Sequence, residues 1–552
     1  MLTKQEFNSL YELFKQGKHS AEDLKKLAPY KVKNAIIMAA GMSSRFAPLS
    51  YENPKGLLTV KGEILIEREI QQLQAAGIDN ITIVVGYMKE KFFYLEEKYN
   101  VKIVINEDYY RYNNTSTLMK VLEQLSNTYI CSSDNYFVDN VFEPYVYHAY
   151  YSAVYSKGAT DEYCLTYDSD NRITNVTIGG TNSWYMLGHV YFSEDFSNKF
   201  VKILKNEYKN QGTKEQLWEN LYMKHINELN LHIQKYDSDK VLEFDSLDEL
   251  RTFDEYYINN TNSSIIKNIC SILNCQEKDI TDITCIKSGL TNKSFYFSYN
   301  GQKYVYRHPG IGTNSYINRA GEAFSMSVAK SLGLDDTFIY MDEKEGWKIS
   351  HYIESARTLD YHNPQEVSTA LHMMRTLHNA KITSNYDFDI WKASLNFIDK
   401  ISQKGRNDFE DFTSLFNLMS EVYHFTEKDH VEKCLCHCDC YDPNFLIDSN
   451  GKMYLIDWEY SGNDDPANDL GTFICCSDYT YEEALETIKI YLSHEPSQSE
   501  LRHYLGYIAI ASYYWYVWAI YQESLGNPVG EYLYIWYKNS KFYAKKALEL
   551  YK

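Results

Sequence analysis

The chain is short of positive charge: 55 Lys and Arg face 75 Asp and Glu across 552 residues, a formal net charge of -20. That deficit argues against nucleic acid or an anionic membrane surface as the main partner. Local basic groups therefore read as site residues or solvated surface. Long apolar runs are also missing. The opening MLTKQEFNSLYELFKQ has no apolar signal core. The most apolar stretch, Ile508 to Ile520, falls short of the roughly 20 residues that a membrane span needs, so it reads as a buried helix and no stable membrane association is expected. The 11 cysteines form no C-x-x-C pairs; Cys434, Cys436, Cys438 and Cys440 alternate instead, which speaks against zinc and for a reduced, cytoplasmic protein. No G-x-G-x-x-G is present, which weakens a dinucleotide-binding reading.

What is present is a catalytic signature in the second half. His437 to Asp457, HCDCYDPNFLIDSNGKMYLID, holds the spacing H-x-D-x-x-x-x-N. In the kinase catalytic loop this Asp accepts the proton of the substrate hydroxyl, the Asn binds Mg²⁺ and a later Asp holds the metal that bridges the phosphates. Two strand-like runs, Phe445 to Ile447 and Met453 to Ile456, flank Asn450-Gly451, a dipeptide that favours a type I′ hairpin turn. Pairing about that turn is expected to set Asn444 opposite Asp457, where one metal ion touches both.

The length suits two domains of ordinary size. Residues 1–33 read as two short amphipathic helices, a packing arm, with Ser20 and Asp23 as a capping box. From Asn34 strands and helices alternate: strand Ala35 to Ala39, helix Ile64 to Ala76, strand Ile81 to Val85, helix Lys89 to Tyr99, strand Lys102 to Ile105, helix Ser116 to Leu125, strand Tyr129 to Ser132. That order specifies a parallel sheet wrapped by helices, with ligands beyond the carboxyl ends of the strands. The loop Ala39-Ala40-Gly41-Met42-Ser43-Ser44-Arg45 and Asp134 both fall there. Small residues let backbone N–H groups approach phosphates, Arg45 grips them in a fork, and Lys55 adds a point charge.

On AAGMSSRF, Asn53-Pro54-Lys55 and Ser133-Asp134, residues 34–255 resemble the nucleotidyltransferase family of sugar-nucleotide pyrophosphorylases, most closely its CTP:phosphocholine cytidylyltransferase branch. Ser43 stands where that family usually has a second Gly. The resemblance implies Asp134 as a metal ligand. For the second ligand Glu219 and Asp245 compete; Glu219 is favoured, because with Trp218 before it an acid there serves both metal and substrate cation, while Asp245 suits a helix cap before Leu247.

Residues 256–263 read as a polar linker to a second domain, residues 264–552. Its strands Asp282 to Lys287, Ser294 to Tyr299 and Lys303 to His308 surround the loop Ser288-Gly289-Leu290-Thr291-Asn292, with a second hairpin turn at Asn300-Gly301. Arg307 occupies the place of the phosphate-binding Lys of a kinase small lobe, with Glu322 as its ion-pair partner. HCDCYDPN, IDWEYSGNDDPANDLGTF and Trp515-Tyr516-Val517-Trp518 make this domain resemble the choline and ethanolamine kinase family. The resemblance implies Asp439 as base, Asn444 and Asp457 as Mg²⁺ ligands and Asp469 as support of the loop. Trp515 and Trp518, three apart on one helix face, suit an aromatic wall for a quaternary ammonium ion, with Tyr479 and Tyr543 as weaker members.

The fold class is therefore α/β: a Rossmann-like nucleotidyltransferase domain followed by a bilobal, kinase-like α+β domain. The two resemblances imply a short pathway in one chain, in which choline is phosphorylated by ATP and the phosphocholine then receives CMP from CTP, with Mg²⁺ at both sites. The alternatives are a sugar-1-phosphate nucleotidyltransferase fused to an ethanolamine, aminoglycoside or sugar kinase, and a non-catalytic nucleotide sensor. The sequence leaves choline against ethanolamine and the oligomeric state open.

Overall fold

A computed structural model describes residues 2–286, 292–310, 318–405 and 410–552. The chain divides into two compact units, Met1–Cys285 and Ile286–Lys552. The expected linker at 256–263 thus lies inside the first unit, as does the helix Ser264–Leu273.

The arm at the start of the first unit is two helices, Lys4–Lys15 and Ala21–Leu27, each closed by a capping box, Thr3 with Glu6 and Ser20 with Asp23. Its apolar face seats Phe7, Tyr11 and Leu27 on Tyr30 and Tyr145. The alternation that follows builds parallel strands in the order Thr128–Ser132, Asn34–Ala39, Ile81–Val85, Lys102–Ile105. Their buried residues are mostly aliphatic, Ile36, Ile37, Ile83 and Val84 among them, with Tyr129 and Cys131 from Thr128–Ser132, as expected of a sheet covered on both faces. The expected helix Lys89 to Tyr99 is a 3₁₀ turn, Lys89–Phe92, followed by a helix, Tyr94–Tyr99. Five further strands extend the sheet to nine; of these, Trp184–Phe192 runs antiparallel to Thr128–Ser132. A short ribbon stands apart, in which Val241–Glu243 pairs antiparallel with Asn135–Phe137 and sets Glu243 opposite Asn135.

In the second unit the antiparallel strands Asn292–Tyr299, Gln302–Pro309, Lys348–His351 and Phe338–Met341 pair in that order. Asn300 and Gly301 both have positive φ, 50° and 73°, and join Tyr299 to Gln302 by the expected type I′ turn. The helix Arg319–Ser331 follows, and the helical part is built around Gln498–Ser524, which is buried along most of its 27 residues. The expected buried helix at 508–520 is its middle. No described helix is long and apolar enough to cross a membrane.

The turn at Asn450-Gly451 departs from expectation. Only Gly451 has positive φ, Gly451 N–H donates to Asp448 O, and Asp448 N–H donates to Lys452 O at 3.0 Å, so the loop has three residues, not two. The pairing Phe445 with Leu455 then sets Asn444 opposite Ile456, whose N–H donates to Asn444 O at 2.9 Å; Asp457 is one residue further on. An odd loop shifts the register by one, and that is the whole difference.

Candidate active sites

In the first unit Lys55 is buried, and its Nζ lies 2.9 Å from Asp134 Oδ2 and 3.3 Å from Glu243 Oε1. Gly56 makes this approach feasible: a Cβ there would lie 2.7 Å from Ser133 Oγ, so only glycine lets the segment press against the strand end that carries Asp134. Burial pushes the Asp134 carboxyl up, but the Lys55 ammonium and the Ser132 hydroxyl, which donates to Oδ1 at 2.6 Å, hold it below the usual range. Glu243 moves the other way, pushed up to about 7 by burial and by the charge of Asp134. The Lys55 ammonium is disfavoured by burial and favoured more strongly by the two carboxylates, so it stays charged.

The small-residue loop lies beside this cluster in sequence, with Ala39 ending its strand, Ala40 O accepting from Tyr87 N–H at 3.1 Å, and Gly41 and Ser44 leading into Arg45. Ser43 takes the left-handed conformation, φ 46°, which a glycine would adopt at lower cost. Arg45 is 81% exposed and its Nη2 lies 3.9 Å from Asp245 Oδ1. Asp245 is not a helix cap; Ser246 is, its side chain accepting from Glu249 N–H. Glu219 does not join Asp134 through any described contact. It receives hydrogen bonds from Tyr151 Oη at 3.1 Å and from Asn114 Nδ2 at 3.3 Å. Trp218 is 1% exposed, stacked on Tyr151 with centroids 5.7 Å apart and wedged against Phe192 and Phe200. Its role is therefore packing first. A cavity of about 150 Å³ is lined by Tyr151, Glu162, Trp218, Glu219 and Glu243, so three carboxylates and a tyrosine meet there.

In the second unit Asp439 is buried, and its Oδ1 has no hydrogen-bond partner among the described residues. Asn444 Nδ2 donates to Asp439 Oδ2 at 3.0 Å and to its backbone O at 2.8 Å. Burial, then the Asp457 charge, push the Asp439 carboxyl well above its ordinary value. Asp469 shapes the turn beneath: its two oxygens accept the N–H groups of His437 at 2.8 Å and Cys438 at 2.6 Å, while His378 Nε2 lies 2.9 Å away. Cys438 is thereby held at φ 66°. His437, which burial keeps neutral, donates from Nε2 to Ile456 O and accepts the Asp439 N–H at Nδ1.

Arg307 meets Glu322 at 2.6 Å, and its Nη1 lies 3.5 Å from Asp457 and 3.7 Å from Glu459. Arg319 and Lys348 also approach Glu322, at 3.1 and 3.3 Å. Ser288 and Gly289 lie outside the described residues. Trp515 and Trp518 meet edge to face with centroids 5.5 Å apart, and Trp536 joins both, at 5.8 and 6.5 Å. Tyr441, two residues after Asp439, lies 6.3 Å from Trp515. The structure does not bring Tyr479 or Tyr543 into this group by any described ring contact. The Tyr479 hydroxyl donates to Tyr361 O, and Tyr543 is buried against Tyr481 and Phe542.

Residues 35–176 match the family model of the MobA-like NTP transferase domain, and residues 283–513 that of choline/ethanolamine kinase. A choline-phosphate cytidylyltransferase of Streptococcus pneumoniae is 33% identical over 221 residues, 40% of this chain and 96% of that protein. The chain belongs to this cytidylyltransferase family, with a choline/ethanolamine kinase domain in its second half. A 2-aminoethylphosphonate cytidylyltransferase of Lancefieldella rimae is 34% identical over 229 residues, 41% of this chain and 93% of that one. A solved structure of the choline kinase LicA from Streptococcus pneumoniae is 25% identical and covers 52% of this chain and 99% of its own, with a TM-score of 0.44. These families support the two-enzyme reading and not the sugar-phosphate or sensor alternatives.

In the cytidylyltransferase half, Glu243 was missed by sequence reasoning, although Val241 and Glu243 share the inward face of a strand and an acid there is a signal. In the kinase half, Tyr441, Trp536, Glu459 and Lys348 were missed. Trp536 has a signal in hindsight, since Tyr532 and Trp536 stand four apart on the helix Tyr532–Tyr551 with rings 5.4 Å apart.

Proposed function

We propose that the chain makes an activated choline headgroup in two steps: phosphorylation of choline by ATP in the kinase half, then transfer of CMP from CTP to phosphocholine in the other, with release of pyrophosphate. The observation that carries it is the aromatic group of Trp515, Trp518 and Trp536 reaching Tyr441, two residues from the base. Such rings attract a cation that offers no hydrogen, worth about 2 kcal/mol when desolvated. Asp439 orients the choline hydroxyl and takes its proton, a task for which its raised proton affinity suits it. Arg307, held by Glu322, steadies the phosphates.

In the transferase a phosphate oxygen of phosphocholine attacks the α-phosphorus of CTP. No proton need move. Lys55 and Arg45 meet the charge that builds on the transferring phosphate. Backbone groups from Ala39 to Ser44 take the nucleotide's phosphates, and the carboxylates of Glu219, Glu162 and Glu243 balance the ammonium.

Both centres fit Mg²⁺. The donor sets are oxygen, as a hard cation needs, and in the first unit a cation, the Lys55 ammonium, already sits between Asp134 and Glu243. Asp134 with Glu243 would hold it in one half, Asn444 with Asp457 in the other, and when bound it neutralises phosphate charge in the transition state. The unpaired thiols of all 11 cysteines accord with a reducing, cytoplasmic setting.

The test is a substrate panel on purified protein, with ADP and pyrophosphate release read separately. Choline and ethanolamine are offered to the kinase, and phosphocholine, phosphoethanolamine, 2-aminoethylphosphonate and glucose 1-phosphate to the transferase. Choline-dependent ADP and phosphocholine-dependent pyrophosphate are expected. A preference for 2-aminoethylphosphonate with CTP would replace the second step.

A further inference from the structure

A cavity of about 560 Å³ in the first unit lies away from the catalytic cluster. It is lined by Tyr129, near the start of the strand Thr128–Ser132, whereas Asp134 follows that strand's end. It shares no lining residue with the cavity around Glu219 and Glu243. Its size suits a small molecule. One wall is the arm, through Lys4 and Phe7, and the arm precedes the residues 35–176 matched by the transferase family.

We propose that this cavity binds an organic phosphate and couples its occupancy to the transferase centre. The coupling part rests on the transferase reading above; the binding part does not.

On one side His148 and His232 stack with ring centroids 4.1 Å apart at 15° to each other. The charge of Lys4 bears on both rings, and burial holds both imidazoles below their ordinary proton affinity. The Lys4 ammonium and a neutral His148 can offer donors to an anion; His232 Nδ1 faces Ala149 O at 3.3 Å, so its other nitrogen becomes a donor only when an arriving phosphate draws a proton onto the ring. The acids of the lining are largely engaged: Asp139 pairs with Lys240 at 2.7 Å, and Glu143 with Lys15 at 3.3 Å and with the Tyr11 hydroxyl, leaving Asp170. Phe7, Tyr147 and Tyr150 supply apolar ring surface for the organic part.

The route to the centre is the ribbon of Asn135–Phe137 with Val241–Glu243. At one end stand Asp134 and Glu243. At the other, Val138 N–H donates to Lys240 O at 3.0 Å, and the Asp139–Lys240 pair lines the cavity. A phosphate that competes for Lys240 pulls on the strand that positions Glu243. The ribbon thus joins two distinct sites, as coupling requires.

The phosphate could belong to a nucleotide or to phosphocholine, so the experiment separates them. Hydrogen exchange of the full chain is followed with CMP, phosphocholine, inorganic phosphate or choline added in turn. CMP or phosphocholine is expected to protect residues 2–11, 139–150 and 230–240. Lys4→Ala and His148→Ala should each remove that protection with an unchanged melting temperature, while residues 39–56 stay protected. Protection confined to 39–56 and 132–135, or equal protection in the variants, overturns the site. Equal protection by inorganic phosphate overturns the organic part. Pyrophosphate release at saturating substrates should differ by about fivefold between wild type and His148→Ala; an unchanged rate overturns the coupling alone.

Discussion

The two catalytic clusters solve the problem of buried carboxylates in opposite ways. Around Lys55 the negative charge is partly offset before any substrate arrives: one ammonium lies within 3.3 Å of both Asp134 and Glu243, and Asp134 is ionised more readily than usual. Around Asp439 it is not. Its nearest help is the Asn444 amide, Asp457 repels it, and one of its oxygens has no partner among the described residues. A partly neutralised centre suits a reaction that moves no proton, where fixed positive charge must await the phosphates. An underneutralised one suits a base, because proton affinity is what it needs.

The sharpest way to break this contrast is Asp439→Asn. Choline-dependent ADP release should fall by at least the 10² to 10⁴ that general base catalysis contributes, with pyrophosphate release from supplied phosphocholine unchanged. The same variant removes a buried repulsion, so the melting temperature of the second unit should rise. A melting temperature that falls would mean that Asp439 is better compensated than its surroundings indicate. Lys55→Ala is the mirror experiment. It should cost the transferase about 10² to 10³ in rate and leave the kinase untouched, and it strands two facing carboxylates, so stability should drop as well.

Trp518→Leu should raise the KM for choline about 5- to 30-fold and leave that for ATP unchanged, the loss expected when a π face is removed and apolar bulk kept. Equal shifts in both KM values with a lower melting temperature would make Trp518 core instead. The smallest effect concerns pH. Glu243 is held protonated up to about 7. The Mg²⁺ affinity of the transferase should therefore bend downward below about 7 as Glu243 gains its proton, and Glu243→Gln should abolish the bend. The stability contribution runs the opposite way: because the folded value is raised, it is fully present below the unfolded carboxylate range and is lost as pH climbs through about 7. A Glu243→Gln profile with the same bend would remove Glu243 from the transferase centre.

How far the sequence could be read depends on how local the signal is. The parallel strands were legible because three aliphatic runs and the mixed run Tyr129 to Ser132 alternate with helices, and the Arg307–Glu322 pair because its strand and helix adjoin. Two Asn-Gly turns carried the same local signal and came out differently: Asn300-Gly301 forms the type I′ turn, while at Asn450-Gly451 only Gly451 takes the left-handed region. Nothing in the dipeptide distinguishes them. Asp448 does, since its side chain accepts from Asn450 N–H at 2.8 Å and Lys452 N–H at 2.9 Å and so favours the longer loop. Glu243 was missed for another reason: alternation with Val241 marks its face, but what makes it part of a site is pairing with a strand more than a hundred residues earlier. Trp218 misled because a Trp beside an acid looks like a cation site, and only packing reveals Phe192 and Phe200 around it.

The turn that carries the base owes its shape to Asp469. That residue stands 32 and 31 positions downstream of the two N–H groups it accepts, His437 and Cys438. The instruction for the catalytic turn is thus stored at a distance, in the helix Ala467–Cys475, and the side chains that alternate with His437 and Asp439 are free to vary so long as they are small enough to be buried. Four alternating cysteines are one such spelling, and serines or alanines at Cys436 and Cys440 should be others.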